Sequence, residues 1–394
     1  MKKLKFLVSK CKHFLKVVYG HTYENEALWI KVRKLKQENV VFQLNKFYNK
    51  ITVVYLFVKI FRKVNCMSIY QDGIWGGVVA DALGVPVEFT SRTERVLDPV
   101  KGMRQYGTYH QPRGTWSDDS SMTLATLDSI KSVDGIDYKD IMDKFLSWYT
   151  EGKYTPFGEV FDIGMATSRA LNRYRLGEEP TKSGGNSESD NGNGSLMRIL
   201  PVCLYLFERQ KAICTSEDES IYIIHNVSAL THGHLRSQIA CGMYYFMVKA
   251  ILEKEGELTE RLQAGLDKAF EYYRKDFRNN KELNLYLRLV DLNAFKKTPS
   301  EQIKSSGYVV DTIEAAVWSL ITTDSYDTAV LKAVNLGDDT DTVGEVAGGL
   351  AGLYYGYKNI PDAWLEAIQC REWIHELILE MSGEGQCDCV YVIR

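Results

Sequence analysis

Three short acidic clusters are the parts of this sequence whose residue types and spacing could do chemistry. They occupy residues 81–88 (Asp-Ala-Leu-Gly-Val-Pro-Val-Glu), 115–122 (Thr-Trp-Ser-Asp-Asp-Ser-Ser-Met) and 335–342 (Asn-Leu-Gly-Asp-Asp-Thr-Asp-Thr). Their carboxylate and hydroxyl oxygens are hard ligands that suit Mg²⁺ or Mn²⁺, and the clusters lack the His and Cys that zinc prefers. If the fold brings them together, the clusters predict a site for divalent metal ions.

Convergence of the clusters would bring together five carboxylates, namely Glu88, Asp118, Asp119, Asp339 and Asp341. Each like-charge pair about 4 Å apart costs roughly 4 kcal/mol at an effective dielectric constant of about 20, and two divalent cations would offset most of that repulsion. Without metal, several of these carboxyl groups should titrate well above their ordinary values. Taken singly, the clusters at 115–122 and 335–342 are also typical of a helix N-cap. Two clusters of this kind together favour the metal site.

A polar, glycine-rich segment at residues 181–194 precedes an apolar helix start at 195–200. The backbone N–H groups of such a loop, and of the helix N-terminus after it, can hold phosphate. The segment lacks the Gly-Lys-Ser/Thr of a P-loop, and a solvated linker explains it equally well. His232 and His234 follow in a Thr-His-Gly-His run. Two histidines at this spacing are more often structural groups than ligands.

The elements that must position these residues are predicted to be helices. Apolar residues recur at three- and four-residue spacing in 241–254, 309–322 and 361–381, and strand-like alternation is rare. The predicted fold class is therefore all-α.

Two of the predicted helices carry stripes of small residues. The first stripe is Gly76, Ala80 and Gly84, and the second is Gly344, Gly348, Gly352 and Gly356. A glycine inside a helix costs about 1 kcal/mol relative to alanine, so several on one face need a reason. Close approach of another backbone supplies that reason, and we expect these two faces to pack tightly.

The charge of the chain is divided unevenly near Met67. Residues 1–66 carry 15 Lys and Arg against 3 Glu, which leaves 33 basic and 48 acidic side chains after residue 66. The acidic balance of residues 67–394 disfavours general nucleic-acid binding. We predict that 67–394 form a single catalytic domain. The basic extension at 1–66 is either dispensable for the functional fold or an amphipathic helix that binds a surface.

Composition places the chain among globular proteins of a reducing compartment. At 394 residues and 45% hydrophobic side chains, it can bury a large core. The sequence contains no run of about 18 apolar residues, so no transmembrane helix is indicated. The 8 cysteines are scattered, without the density of a disulfide scaffold. We therefore expect a cytoplasmic protein.

Five motifs, taken in order over residues 70–360, resemble those of the ADP-ribosylglycohydrolase family, which includes dinitrogenase reductase-activating glycohydrolase and the ADP-ribosyl-acceptor hydrolases. They are Ala80-Asp81-Ala-Leu-Gly84 with Glu88, Ser117-Asp118-Asp119, Gly192-Asn193-Gly194-Ser-Leu-Met197-Arg198, Thr231-His232, and Asp338-Asp339-Thr340-Asp341-Thr342. The run Phe161-Asp162-Ile163-Gly164 also resembles a family segment. Three positions depart from the pattern. Ser117 stands for the usual Thr, and Ala80 and Asp338 each stand for a Gly.

The resemblance implies a compact, orthogonal helical bundle with a binuclear Mg²⁺ or Mn²⁺ centre. By resemblance, the metal ligands are Ser117, Asp118, Asp119, Asp339, Asp341 and Thr342. Either Glu88 or Asp162 is the acid–base group. The expected substrate-binding residues are Gly192, Asn193, Gly194, Ser195, Arg198 and His232, with the loop and Arg198 meeting or shaping the pocket for the diphosphate.

The activity implied by the resemblance is hydrolysis of the glycosidic bond between ADP-ribose and an acceptor, which reverses ADP-ribosylation. Cleavage at ribose C1 passes through an oxocarbenium-like state, and the metal ions would hold ribose hydroxyls and orient water. Two alternatives stay open, a binding module without turnover and a two-metal phosphoesterase acting on the diphosphate. The expected partner is an ADP-ribosylated protein or small molecule. The acceptor and the oligomeric state are left open.

Overall fold

The computed structural model describes residues 69–213 and 216–381, so the predicted extension at 1–66 lies outside the described residues. The first helix, α1, covers residues 69–84. The other α-helices are α2 Arg92–Leu97, α3 Asp118–Val133, α4 Tyr138–Glu151, α5 Met165–Arg175, α6 Leu200–Ile213, α7 Glu217–Ala229, α8 Leu235–Glu253, α9 Leu258–Arg274, α10 Asn280–Leu283, α11 Leu292–Phe295, α12 Val309–Ile321, α13 Tyr326–Val334, α14 Thr340–Tyr355, α15 Asp362–Leu365 and α16 Arg371–Met381.

Short 3₁₀ helices connect the α-helices at Val85–Val87, Gly107–Tyr109, Pro180–Lys182, Glu188–Asp190, Phe277–Asn279, Asn284–Val290, Ser300–Gln302 and Tyr357–Asn359. Within the two described ranges, strand-like pairing is limited to isolated bridges, such as Gly192 with Tyr308. The prediction of an all-α fold is confirmed. No helix in the described part of the chain is both long enough and apolar enough to cross a bilayer.

Helix α8 forms the centre of the core. It is buried along nearly all of its length and contacts α6, α7, α9, α12 and α14. This is the helix that the sequence predicts at 241–254, and it begins earlier, at Leu235, where the His234 ring accepts a hydrogen bond from the N–H of Arg236. The helix predicted at 309–322 is α12, which is also buried throughout most of its length. Apolar periodicity therefore located the core helices well.

The expectation of one continuous helix at 361–381 is wrong, because two helices, α15 and α16, occupy that stretch. Residues 366–370 separate α15 from α16, and Cys370 adopts a left-handed backbone conformation with φ of +48°. The separating segment packs against a loop, since Gln369 donates its N–H to the carbonyl of Gly114. This long-range contact replaces a helical hydrogen bond, and local periodicity gives no sign of it.

The two stripes of small residues pack α1 directly onto α14, as predicted. A Cβ built on Gly76 would lie 2.4 Å from the carbonyl oxygen of Gly348, and a Cβ on Gly348 would lie 2.3 Å from the carbonyl oxygen of Gly76. At the end of α1, a Cβ on Gly84 would lie 2.4 Å from backbone atoms of Asp341. No side chain fits at these positions. The contact consequently holds the end of α1 beside the start of α14.

Candidate metal-dependent active site

The first wall of the site is the N-terminus of α3. Ser117 caps this helix and accepts a hydrogen bond from the N–H of Asp119 at 3.3 Å. Asp81 of α1 holds the same turn, because its carboxylate accepts hydrogen bonds from the N–H and hydroxyl groups of both Ser117 and Ser120. The cap interpretation of this cluster is thus correct. It does not exclude metal binding, because the cap itself places Asp118 and Asp119 in the first turn.

The second wall is the N-terminus of α14, which starts after Asp339. The N–H of Thr342 donates to Asp341 Oδ1 at 3.0 Å, and the Thr342 hydroxyl donates to Asp119 Oδ2 at 3.2 Å. Ser117 also donates its hydroxyl to Asp119 Oδ2, at 3.0 Å. The second and third sequence clusters therefore meet, and two helix N-termini, each carrying partial positive charge, face the same group of carboxylates.

Glu88 completes the meeting of the three clusters. One carboxylate oxygen from each of Glu88, Asp339 and Asp341 lies within 4.8 Å of the other two. Asp338, which stands where the family motif has a glycine, is exposed and has a φ of +59°. Asp tolerates this left-handed conformation better than most residues do. Asp339 and Asp341, rather than Asp338, are the residues that reach the cluster.

Four carboxylate oxygens in this group are buried without a hydrogen-bond partner among the described residues. They are Glu88 Oε2, Asp119 Oδ1, Asp339 Oδ1 and Asp341 Oδ2. A buried acceptor without a partner is destabilising, and several together are rare in a folded protein. Divalent cations would satisfy all four oxygens at once. The residues present thus fit a site for Mg²⁺ or Mn²⁺.

The electrostatics of the metal-free protein agree with this fit. Burial raises the pKa of Glu88 to about 9, and the negative charges of Asp162 and Asp339 add to the shift. Burial also raises the pKa values of Asp118, Asp119 and Asp341 well above the usual range of an aspartate. The negative charges of neighbouring carboxylates raise these pKa values further. Nearby cations would favour the ionised carboxylates and reverse these shifts.

Asp162 joins the group from the loop before α5. Its pKa is raised by burial, and the neighbouring Tyr109, Glu88 and Asp118 side chains partly offset that shift. The structure therefore places both candidate acid–base residues, Glu88 and Asp162, in contact with each other. Tyr109 is a site residue that the sequence reasoning missed. No pattern in the run Gln-Tyr-Gly-Thr-Tyr-His at 105–110 marks it.

Glu345 is a second residue that the sequence reasoning missed. It is buried on α14 and accepts hydrogen bonds from the hydroxyls of Thr123 at 2.7 Å and Ser120 at 3.2 Å. Its carboxylate thus joins α14 to α3 just behind the site. The available signal was its spacing, because Glu345 lies four residues after Asp341 and therefore on the same helical face.

The glycine-rich loop reaches the site through Asn193. The Asn193 side chain donates to Asp339 Oδ2 and to Thr312 Oγ1, both at 2.9 Å. Gly192 and Gly194 flank it, and a Cβ on Gly194 would lie 2.9 Å from the His232 ring. The Ser195 hydroxyl is buried and accepts from Ser228 at 2.9 Å. Asn193 is accordingly a contact to the carboxylate cluster, whereas Ser195 lies in the protein interior.

Arg198 and His232 lie behind this loop. The Arg198 guanidinium is fully buried, donates to Val227 O and Thr231 Oγ1, and lies 4.5 Å from the centroid of the Phe145 ring. His232 Nδ1 is 2.8 Å from the same Thr231 hydroxyl. Burial, with the positive charge of Arg198, lowers the pKa of His232 to about 3. This position of Arg198 does not favour direct contact with a diphosphate.

A model of the ADP-ribosylglycohydrolase family matches residues 65–389. An ADP-ribosylarginine hydrolase, Tri1, from Serratia proteamaculans (strain 568) is 31% identical over 311 residues, which are 78% of this chain and 77% of the relative. The ADP-ribosylarginine hydrolase Tri1 of Pseudomonas putida (strain GB-1) is 32% identical over 315 residues, which are 79% of this chain and 77% of the relative.

The ADP-ribosyl-(dinitrogen reductase) glycohydrolase of Rhodospirillum rubrum is 28% identical over 305 residues, which are 75% of this chain and 88% of the relative. A solved structure described as an ADP-ribosylglycohydrolase-related protein complex matches with a TM-score of 0.64 and 29% identity, over 81% of this chain and 99% of that chain. The helical bundle of the ADP-ribosylglycohydrolase type, predicted from the motifs, is thereby confirmed.

The chain belongs to the ADP-ribosylglycohydrolase family. It is a hydrolase of the class that removes ADP-ribose from its acceptors and so reverses ADP-ribosylation.

Proposed function

We propose that this hydrolase depends on two Mg²⁺ or Mn²⁺ ions and releases ADP-ribose from arginine side chains of proteins. The observation that carries the metal proposal is the set of four unpartnered, buried carboxylate oxygens on Glu88, Asp119, Asp339 and Asp341. The arginine acceptor is supported by the names of the Serratia and Pseudomonas relatives. A cationic guanidinium leaving group is also complementary in charge to a cluster of carboxylates.

The metal ligands that we propose are Ser117, Asp118, Asp119, Asp339, Asp341 and Thr342. The Ser117 and Thr342 hydroxyls already converge on Asp119 Oδ2, so the hydroxyl and carboxylate oxygens lie together. When bound, divalent ions would supply Lewis-acid polarisation and a site for water and ribose hydroxyls. Asp81 and Glu345 would not touch the ions, and they hold the first two turns of α3 in place.

The acid–base work is assigned to the pair of Glu88 and Asp162. Glycoside hydrolysis commonly needs one carboxyl group that protonates the leaving atom and one that activates or replaces water. We favour Glu88 as the proton donor because it is buried, lies beside Asp339 and Asp341, and is not among the metal ligands that we propose. Asp162 would then assist from the opposite loop.

The substrate diphosphate is assigned to the loop at residues 192–195 and to His232. The glycines at positions 192 and 194 carry no side chain of their own, and the His232 ring lies against both of them, so backbone N–H groups and His232 come from one small region. Asn193 ties this loop to Asp339, so the diphosphate and the scissile bond would be held at a fixed separation. Arg198 would contribute to the stability of the interior behind this loop, where it donates a hydrogen bond to Thr231.

Product analysis with an arginine-linked ADP-ribosyl peptide and Mn²⁺ tests the proposal. We expect free ADP-ribose and unmodified peptide, with turnover lost in excess chelator. A serine-linked peptide serves as the matched acceptor control and should be cleaved far more slowly. Release of AMP would indicate a phosphoesterase, and bound ADP-ribose without turnover would indicate a binding module. Turnover that survives chelation would contradict the metal proposal.

The remaining features of the proposal concern the whole chain. We propose that residues 67–394 act as one catalytic domain in the cytoplasm, with an ADP-ribosylated protein as the substrate. The start of the family match at residue 65 supports this boundary. The absence of general nucleic-acid binding stays a prediction from the acidic balance of residues 67–394.

A further inference from the structure

We propose that Tyr109 is a positioning residue of the active site, whose hydroxyl fixes the carboxyl groups of Glu88 and Asp162 relative to each other. The two acidic residues lie on separate loops, 74 positions apart in the chain numbering. Tyr109 lies between the loops, and its hydroxyl interacts with both carboxyl groups and lowers the pKa of each, against the larger effect of burial. The proposal depends on the hydrolase activity, and it is independent of which acceptor the enzyme prefers.

The segment that carries Tyr109 is pressed onto the loop that carries Glu88. A Cβ on Gly107 would lie 1.8 Å from the carbonyl oxygen of Pro86, and Gly107 has a φ of +62°. The Thr108 hydroxyl donates to the carbonyl of Glu88 at 2.6 Å. Gly107 and Thr108 thus each contact the segment around Glu88. Because Tyr109 is the next residue, these contacts fix the position of its backbone beside Glu88.

The Tyr109 ring is packed by the neighbours of the two acidic residues. Its centroid lies 5.1 Å from that of Phe161 and 6.4 Å from that of Phe89, with the Phe89 ring edge-on. Phe89 directly follows Glu88, and Phe161 directly precedes Asp162. Aromatic contacts of this kind contribute about 0.5–1.5 kcal/mol each beyond the area that they bury. Both loops are therefore packed against one ring.

The backbone at both ends of this arrangement is strained. Phe89 has a φ of +60° and Asp162 a φ of +53°, values that residues other than glycine seldom adopt. Such conformations cost on the order of 1–3 kcal/mol each and persist only where surrounding contacts enforce them. The Phe89 N–H donates to the carbonyl of Asp338 at 2.7 Å, and the Tyr109 ring contacts the Phe89 and Phe161 rings beside these positions. Without the hydroxyl, the carboxyl groups would lose their shared partner and could rotate.

The phenol suits this role because it keeps its proton. A phenol hydroxyl is a hydrogen-bond donor whose ordinary pKa is about 10, so it can donate to a carboxylate around neutral pH. Glu88 Oε2 has no hydrogen-bond partner among the described residues, and Glu88 lies beside Asp339 and Asp341. Tyr109 would therefore restrict how the Glu88 carboxyl group turns toward these two residues.

The test is Tyr109→Phe, which removes the hydroxyl and keeps the ring. On the linkage that the wild-type enzyme cleaves fastest, we expect kcat to fall about tenfold or more while KM stays within about twofold, as for an interaction that acts on the chemical step. The melting temperature and the calorimetric Kd for ADP-ribose should change little. Tyr106→Phe is the matched control, since Tyr106 is an exposed tyrosine of the same loop, and it should leave kcat unchanged.

A double-mutant cycle with Asp162→Asn separates positioning from general structural damage. If Tyr109 acts through the acidic pair, the two losses in kcat will be far from additive. Additive losses, wild-type kcat in Tyr109→Phe, or a change confined to KM would overturn the proposal. A crystal structure of Tyr109→Phe gives a readout without turnover, because the Glu88 and Asp162 carboxyl groups should be displaced or disordered. That readout stands even if the arginine acceptor is wrong.

Discussion

Gly84, the last residue of α1, lies directly against the backbone of Asp341 in the first turn of α14. A Cβ on Gly84 would be 2.4 Å from both the nitrogen and the Cα of Asp341. The Thr340 hydroxyl reinforces this contact by donating to the carbonyl of Gly84 at 2.8 Å. The small-residue stripe is therefore part of the site, because it fixes the position of the Asp341 backbone in the carboxylate cluster.

Gly84→Ala is expected to displace Asp341 and destabilise the protein. The added methyl group meets backbone atoms of Thr340 and Asp341, so relief requires α1 and α14 to separate, at an expected loss of about 3 kcal/mol in the free energy of unfolding. Calorimetry should also show weaker Mn²⁺ binding. Gly135→Ala is the control, because the nearest atoms to its Cβ lie at 3.7 Å, an ordinary contact. Equal stability of the two variants would contradict this account of the stripe.

Asp341→Asn is expected to separate metal binding from folding. The variant keeps the shape of the side chain and the acceptor for the Thr342 N–H, while it removes one charge from a crowded group. The metal-free variant should melt at the same temperature as the wild type or higher, since repulsion is reduced. The stabilisation by Mn²⁺ should be lost. The exposed neighbour provides the control, and Asp338→Asn should keep the full Mn²⁺ shift in thermal melting.

The stability of the metal-free protein is expected to fall as pH rises. Glu88 has a pKa raised from 4.5 to about 9 and Asp81 one raised from 3.8 to about 6, so the folded state binds protons that the unfolded state has released. This stabilisation is present below the unfolded values and is lost as pH rises through about 6 and then about 9. Chemical denaturation at pH 5 and pH 9 measures it.

Added Mn²⁺ should reverse that pH dependence, because metal ligands must be deprotonated to bind. Glu88→Gln should flatten the metal-free curve in its upper part. A metal-free protein that becomes more stable between pH 5 and pH 9 would contradict the burial of these carboxyl groups.

Arg198→Met is expected to be a stability variant rather than a binding variant. The substitution leaves Val227 O and Thr231 Oγ1 without their buried donor, at a cost of about 2–4 kcal/mol. The ADP-ribose Kd of the folded variant should change by less than about threefold. Arg169→Met, which removes a surface ion pair to Asp190, should change stability by less than about 0.5 kcal/mol. A large loss of ADP-ribose affinity at unchanged stability would instead restore the predicted diphosphate contact.

A chain that begins at Met67 is expected to fold, bind Mn²⁺ and hydrolyse substrate like the full chain. Residues 1–66 carry a charge of +12 against −15 for the remainder, and the family motifs begin after them. Circular dichroism, calorimetry and the hydrolysis assay compare the two chains. Failure of the shortened chain to fold would show that residues 1–66 belong to the core. If the shortened chain keeps its fold and activity but loses a salt-sensitive binding to anionic vesicles that the full chain shows, the surface-helix alternative is supported.

The sequence by itself determined the helical class, which acidic residues could form the carboxylate cluster, and the tight packing of α1 on α14. These features are local, since apolar periodicity, residue type and small-residue spacing act within a few turns of one helix. The hydroxyl and carboxylate groups of the motifs at 117–119 and 338–342 can each be read from the sequence independently of the other motif. Their order along the chain was enough to predict the family.

Tertiary structure alone decided how these groups meet. The hydrogen bond from Thr342 to Asp119 joins residues 223 positions apart, and only the packing of α1, α3 and α14 creates it. Packing of the whole core buries Arg198 away from the surface. The same packing brings Tyr109 and Glu345 to the carboxylate cluster. The pKa of each carboxyl group follows from the same source, because desolvation and neighbouring charge exist only once the chain has folded.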